Sequence, residues 1–133
     1  HVGMVGYEGH KMSKSRGNLV KVSELRVDGT DPTLVRVALA GHHYRDEVDW
    51  SNEMLADAER RLRSWKRAVR SIGTGPDVVR MVADRLADDL DTAGALDALD
   101  AWAASRGAVT DHVVADDVVA GVDALLGVDL AEE

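Results

Sequence analysis

The stretch Gly9-His10-Lys11-Met12-Ser13-Lys14-Ser15-Arg16-Gly17-Asn18 concentrates groups that could do chemistry. Lys11 and Lys14 stand three residues apart, interleaved with the hydroxyls of Ser13 and Ser15, followed by Arg16 and bracketed by Gly9 and Gly17. A lysine ammonium is a compact charge with three rotatable donors, able to follow phosphate oxygens that move during a reaction. Glycines let backbone N–H groups approach an anion. Such a loop suits the β,γ-diphosphate of ATP, and suits it most as charge builds on the departing group. Taken alone, however, a Lys-x-x-Lys loop is more often a solvated basic turn.

The elements that must carry this loop are legible around it. Residues 1–6 alternate and are rich in Val, Met and Gly, predicting a short strand that ends at the turn Tyr7-Glu8-Gly9-His10. A phosphate loop at the end of a strand is the arrangement of an open α/β nucleotide-binding sheet. Ser23 is an expected N-cap for a short helix through Val27, stopped by Asp28-Gly29. Asp31-Pro32-Thr33 opens the next helix, with Leu34, Val35, Ala38 and Leu39 as its buried stripe up to Gly41. Arg36 admits two readings, a buried arginine tying this helix to the loop region or a direct phosphate contact. His42-His43 invites a metal, but neighbours on a helix point about 100° apart and do not chelate one ion. No metal ligand is assigned.

Beyond Tyr44 the pattern is helical throughout, with no further sheet expected. A long helix over about 52–72 carries Leu55, Ala58, Leu62, Trp65 and Val69 on one face. Its other face carries Glu59, Arg60, Arg61, Arg63, Lys66, Arg67 and Arg70, a solvated stripe or a contact for an anionic partner. Gly73-Thr74-Gly75-Pro76 reads as a turn. A helix follows over 77–89, then one capped by Thr92 and running to Arg106, then a last over 111–126 that stops at Gly127. The acids of Asp88-Asp89-Leu90-Asp91 read as helix-start partners for free N–H groups, not as a catalytic pair.

Composition narrows the classes of function. The 133 residues contain no cysteine, excluding disulfides and thiolate metal sites within them. No run approaches the roughly 18 apolar residues of a membrane span, so a cytoplasmic protein with no membrane partner is expected. The formal charge of −8 is unevenly spread: residues 1–45 hold seven Lys/Arg against four Asp/Glu, net +3, and the rest hold nine against twenty, net −11. The acidic portion is a poor surface for a polyphosphate backbone. A start at His1, with no initiator methionine, is expected of a piece cut from a larger fold.

Lys11-Met12-Ser13-Lys14-Ser15, with Gly17-Asn18 after it, resembles the KMSKS signature of class I aminoacyl-tRNA synthetases. Asp31-Pro32, Arg36, His43-Tyr44-Arg45, Trp50-Ser51 and Asp88-Asp89-Leu90-Asp91-Thr92 extend the likeness to cysteinyl-tRNA synthetases, over about residues 1–105. In the last of these strings Ala93 stands where the family has proline. The approach His1-Val2-Gly3-Met4-Val5 and the ending Val122-Asp123-Ala124-Leu125-Leu126-Gly127-Val128 are more similar to the tRNA-independent relatives, the cysteine ligases of mycothiol biosynthesis.

The resemblance implies a mostly α fragment. Residues 1–30 would be the edge of a Rossmann-like α/β catalytic domain bearing the KMSKS loop, and residues 31–133 a C-terminal helical bundle. It implies Lys11 and Lys14 as catalytic residues and Lys11, Met12, Ser13, Lys14 and Ser15 as the ATP-binding loop, Mg2+ accompanying the nucleotide. The implied reaction activates L-cysteine as its adenylate and passes it to the amine of glucosaminyl-inositol, releasing AMP and pyrophosphate. A family zinc would hold the cysteine thiolate, but neither its ligands nor the HIGH-type ATP motif occur here, so these residues alone would be inactive. Two other functions stay open: a cysteinyl-tRNA synthetase with tRNA as acceptor, and a helical interaction module whose KMSKS string is inert.

Overall fold

The computed structural model describes residues 1–73 and 77–132, and about half of the chain is helical. Thr74, Gly75 and Pro76, in the expected turn, lie outside the described residues. By its internal contacts the chain divides into two compact units, His1–Glu59 and Arg60–Glu133.

The first unit is built on a small sheet. Strand β1 (Val5–Tyr7) turns through Glu8-Gly9 into β2 (His10–Lys11) and lies between β2 and β3 (Val48–Trp50). β1 pairs antiparallel with β2 and parallel with β3. Helices α1 (Val22–Val27) and α2 (Pro32–Ala40) come between β2 and β3 in the chain and touch one another.

The sheet beyond Tyr44 corrects the expectation that everything after Asp31 is helical. Val48-Asp49-Trp50 alternates half-buried, exposed and buried, the period of a strand with one covered face. It pairs with β1, and Val48 N–H donates to the carbonyl of Met4, just before β1, at 3.0 Å. β3 completes the sheet begun at Val5 and lies with it in the first unit, His1–Glu59.

Local expectations hold at α2 and shift elsewhere. Asp31 caps α2, its carboxylate accepting from Thr33 N–H at 2.8 Å, with Pro32 in the first turn. The buried residues of α2 are Val35, Val37 and Ala38, whereas Leu39 is 43% exposed and Arg36 is also exposed, against its reading as a buried arginine. Ser23 does not cap α1: the helix starts at Val22, the capping position falls on Lys21, and no side chain accepts there.

The second unit holds the rest of α3 (Asn52–Val69), with α4 (Val78–Ala87), α5 (Thr92–Ala104) and α6 (Asp116–Leu126). α4 packs on both α5 and α6. Trp65, Val69, Val82, Leu96, Leu99, Val122 and Leu130 are fully or almost fully buried there. Asp91, not Thr92, caps α5, accepting from Gly94 N–H at 2.8 Å. An aspartate carboxylate one residue before the helix reaches that amide, leaving Thr92 as the first helical residue.

α3 stops at Val69 and α6 starts at Asp116, both inside their expected limits, for one reason. The last carbonyls of a helix lack partners within it. Those of Val69 and Arg70 accept from Ala115 and Thr110 N–H, at 2.8 and 2.9 Å, and Ser71 bridges to Val109 in the extended segment that follows α5. Arg106 donates to the carbonyls of Ala68, Ser71 and Gly73. Thus residues 107–110 run alongside the end of α3, and after a turn at Asp111-His112 the chain returns to it through Ala115, which satisfies carbonyls that α3 leaves open.

Candidate active site

The candidate loop leaves the sheet at the end of β2. Tyr7 and His10 are directly paired, so the β1–β2 connection has two residues, Glu8 (φ 51°) and Gly9 (φ 77°). Positive φ at both positions is the signature of a type I′ hairpin turn, which glycine accepts freely and glutamate does not. The turn reverses the chain so that Lys11 lies beside Gly6.

Sheet register sorts the loop's side chains onto two faces. Lys11, Gly6 and Asp49 are in-register neighbours across β2, β1 and β3, and so lie in one row on one face. An open cleft of about 520 Å3 lies against Met4, Gly6, Gly9, His10, Lys11, Glu47, Val48 and Asp49. A second, more apolar cavity of about 190 Å3 is lined by Val5, Met12, Val20, Val22, Leu25, Val35, Leu39 and Trp50. Lys11 therefore lines the open cleft, while the next residue, Met12, is half-buried against the more apolar cavity and ties the loop to the unit's core.

Within the loop, Asn18 acts as a clasp. Its carboxamide oxygen accepts from Ser13 N–H at 2.8 Å and its nitrogen donates to the Lys11 carbonyl at 3.2 Å. Ser13 Oγ accepts from Arg16 N–H at 3.3 Å and stands 3.3 Å from Ser15 Oγ. Gly17 N–H closes a turn onto the Lys14 carbonyl at 3.2 Å, with Gly17 in the left-handed region. Ser13 and Ser15 are thus engaged mainly with the loop itself. Lys11, Lys14 and Arg16 are exposed, and among the described residues neither lysine ammonium is paired with a carboxylate.

The structure brings Lys11, Met12, Ser13, Lys14 and Ser15 together as one loop, and adds two residues that sequence reasoning gave no role. Asn18 is legible only as the residue that follows the glycine. Asp49 accepts a hydrogen bond from Gly9 N–H at 2.8 Å, across 40 residues of chain. Three alternating residues, Val48-Asp49-Trp50, are too few to have marked it in the sequence.

The described residues contain no group of three His, Cys, Asp or Glu side chains placed to hold an ion. His43 instead stacks on Tyr44 with ring centroids 4.7 Å apart, and its Nδ1 accepts from Arg45 N–H. Arg45 Nε donates to the Tyr44 hydroxyl at 2.9 Å. The basic face of α3 is only partly solvated, since Arg61 pairs with Asp97 and Asp100 at 3.0 and 3.1 Å. No helix among the described residues is long and apolar enough to cross a membrane.

Residues 1–60 match the family model of the class I (C) tRNA synthetase catalytic domain. Along its whole length the chain is 52% identical to an L-cysteine:1D-myo-inositol 2-amino-2-deoxy-alpha-D-glucopyranoside ligase of Mycobacterium sp. (strain KMS). Over 98% of its length it is 49% identical to the ligase of that name from Mycolicibacterium smegmatis and 50% identical to the one from Rhodococcus jostii. The chain spans about a third of the length of these curated relatives.

Proposed function

Starting from a chain that is homologous along its whole length to these cysteine ligases, we propose that it is the C-terminal part of an ATP-dependent ligase of mycothiol biosynthesis. In this reading the whole enzyme activates L-cysteine and joins it to the amine of glucosaminyl-inositol. The three-stranded sheet with the KMSKS loop belongs to the edge of a Rossmann-like catalytic domain, and the helices from α3 onward form a C-terminal bundle.

The chemistry has two displacements. A cysteine carboxylate oxygen attacks the α-phosphorus of ATP, the bond to the bridging β-oxygen breaks, and pyrophosphate leaves with the electron pair. The glucosamine nitrogen then attacks the acyl carbon of the adenylate, the bond to AMP breaks, and the nitrogen loses a proton as the amide forms. Lys11 and Lys14 serve the first displacement, because preorganised cations contribute most where charge develops. Met12 anchors the loop in the apolar cavity, and Ser13 and Ser15 shape it.

The observation that carries this reading is a loop clasped by Asn18 whose Lys11 and Lys14 are exposed and, among the described residues, without a carboxylate partner, with Lys11 lining an open cleft. The donor set fits a diphosphate, which arrives with Mg2+. It does not fit zinc, so a zinc holding the cysteine thiolate would take its ligands from other residues of the enzyme, as would the remainder of the ATP site. These 133 residues by themselves are accordingly inactive.

The match of residues 1–60 to a synthetase catalytic domain supports a second reading, in which the acceptor is tRNA. One experiment separates them. The full-length protein, given ATP, Mg2+ and cysteine, is expected to exchange pyrophosphate, and then to release AMP stoichiometrically with glucosaminyl-inositol but not with tRNA. AMP release and aminoacylation with tRNA alone would reverse the assignment, and no exchange would exclude both.

A further inference from the structure

Asp49 is distant from the KMSKS loop in sequence and bonded to its base in space. Its carboxylate accepts from Gly9 N–H at 2.8 Å. The route is open because Gly6 stands between Asp49 and Lys11 in the row across the sheet. A Cβ at Gly6 would lie 2.8 Å from Asp49 Oδ1, so the carboxylate would have to move, and 3.0 Å from the His10 carbonyl oxygen, a tight contact. The missing side chain is therefore a lane through which the carboxylate passes over β1 to the turn.

The amide it reaches is the one that most needs a partner. Gly9 is the second residue of a two-residue turn whose ladder pairs are Tyr7–His10 and Gly6–Lys11, so the ladder does not use its N–H. The turn also holds Glu8 at φ 51°, a conformation a glutamate leaves readily unless the surroundings hold it. We propose that Asp49 is a positioning residue for adenylation: it clamps the β1–β2 turn and so fixes the backbone from which Lys11 departs toward the diphosphate. This rests on the ligase reading and deepens it. The clamp works by accepting a hydrogen bond, so an uncharged acceptor of the same shape should serve.

The test uses the full-length protein with Asp49→Ala, Asp49→Asn and Gly6→Ala. Two readouts are taken: cysteine-dependent pyrophosphate exchange, with kcat separated from KM for ATP, and the rate of trypsin cleavage after Lys11 and Lys14 in the native protein. Asp49→Ala is expected to lower kcat on the order of 10-fold or more, as a misplaced reacting group does, with KM for ATP within about threefold. Trypsin cleavage at the loop should rise by about the same factor, through a more frequently opened backbone. Asp49→Asn should recover both, and Gly6→Ala should reproduce the alanine phenotype with Asp49 still present. Wild-type kcat and cleavage in Asp49→Ala would overturn the proposal, as would an Asp49→Asn variant as impaired as the alanine. If Asp49→Ala does not fold, Gly6→Ala and Asp49→Asn decide by the same criteria. A wild-type enzyme without exchange would sink the ligase reading, while the trypsin rates would still decide whether Asp49 clamps the loop.

Discussion

A lysine with no carboxylate partner in the resting protein can spend its whole electrostatic interaction on a ligand. Among the described residues Lys14 is in that position, at the start of the turn closed by Gly17. If it meets the diphosphate chiefly as that group departs, its removal should slow the chemical step without loosening ATP. Lys14→Ala in the full-length enzyme should reduce single-turnover adenylate formation on the order of 10²–10³-fold, about 3–4 kcal/mol, by analogy with loss of an oxyanion donor. ATP affinity should change little. A variant that weakened ATP binding and left the chemical step intact would make Lys14 a simple anchor. Lys11→Ala should behave similarly and less severely. Ser13, whose hydroxyl serves Arg16 N–H, should matter through loop shape and cost less than either lysine.

At the scale of elements, what holds the loop is a hairpin and what ends the helices is capping. Of the expected N-caps, Asp31 does the work at α2, while at α5 it passes from Thr92 to Asp91. The Asp91 cap is close-fitting: a Cβ on Gly94 would lie 2.1 Å from the Asp91 carboxylate. Asp91→Ala should destabilise the helical unit by about 1 kcal/mol, the usual cost of losing such a cap. Most of that should return in Asp91→Asn, which keeps the acceptor and gives up only the exposed ion pair with Arg85. Urea unfolding of the full-length protein, followed by tryptophan fluorescence from Trp65 and Trp102, measures it. Equal losses in both variants would assign the stabilisation to the ion pair and not to the cap.

For the whole molecule, charge sets the expectation. Residues 46–133 carry a net charge of −11, and part of their basic content is used internally by Arg61, Arg70 and Arg106. Such a surface repels a polyanion. The full-length protein should therefore bind tRNA weakly, with little of the steep salt dependence that release of counterions produces. Submicromolar, salt-sensitive tRNA binding in a filter or anisotropy assay would overturn this and favour the synthetase reading.

The sequence by itself determined the basic loop after the first strands, the Asp31-Pro32 helix start, the long helix and the two helices after it, because each is written in neighbouring residues: a motif, a cap, a 3.6-residue period. It could not place β3. A three-residue strand has too short a period to read, and its pairing partner lies 43 residues earlier in register, Val5 opposite Val48. Nor could it end α3 at Val69 or delay α6 to Asp116, since both depend on carbonyls at the end of one helix being satisfied by amides some 40 residues on. The same division runs through the site. Lys11 and Lys14 were legible as residue types at a spacing, whereas the Asp49 contact with Gly9 exists only because the parallel pairing of β1 and β3 sets a carboxylate beside a glycine that leaves room for it.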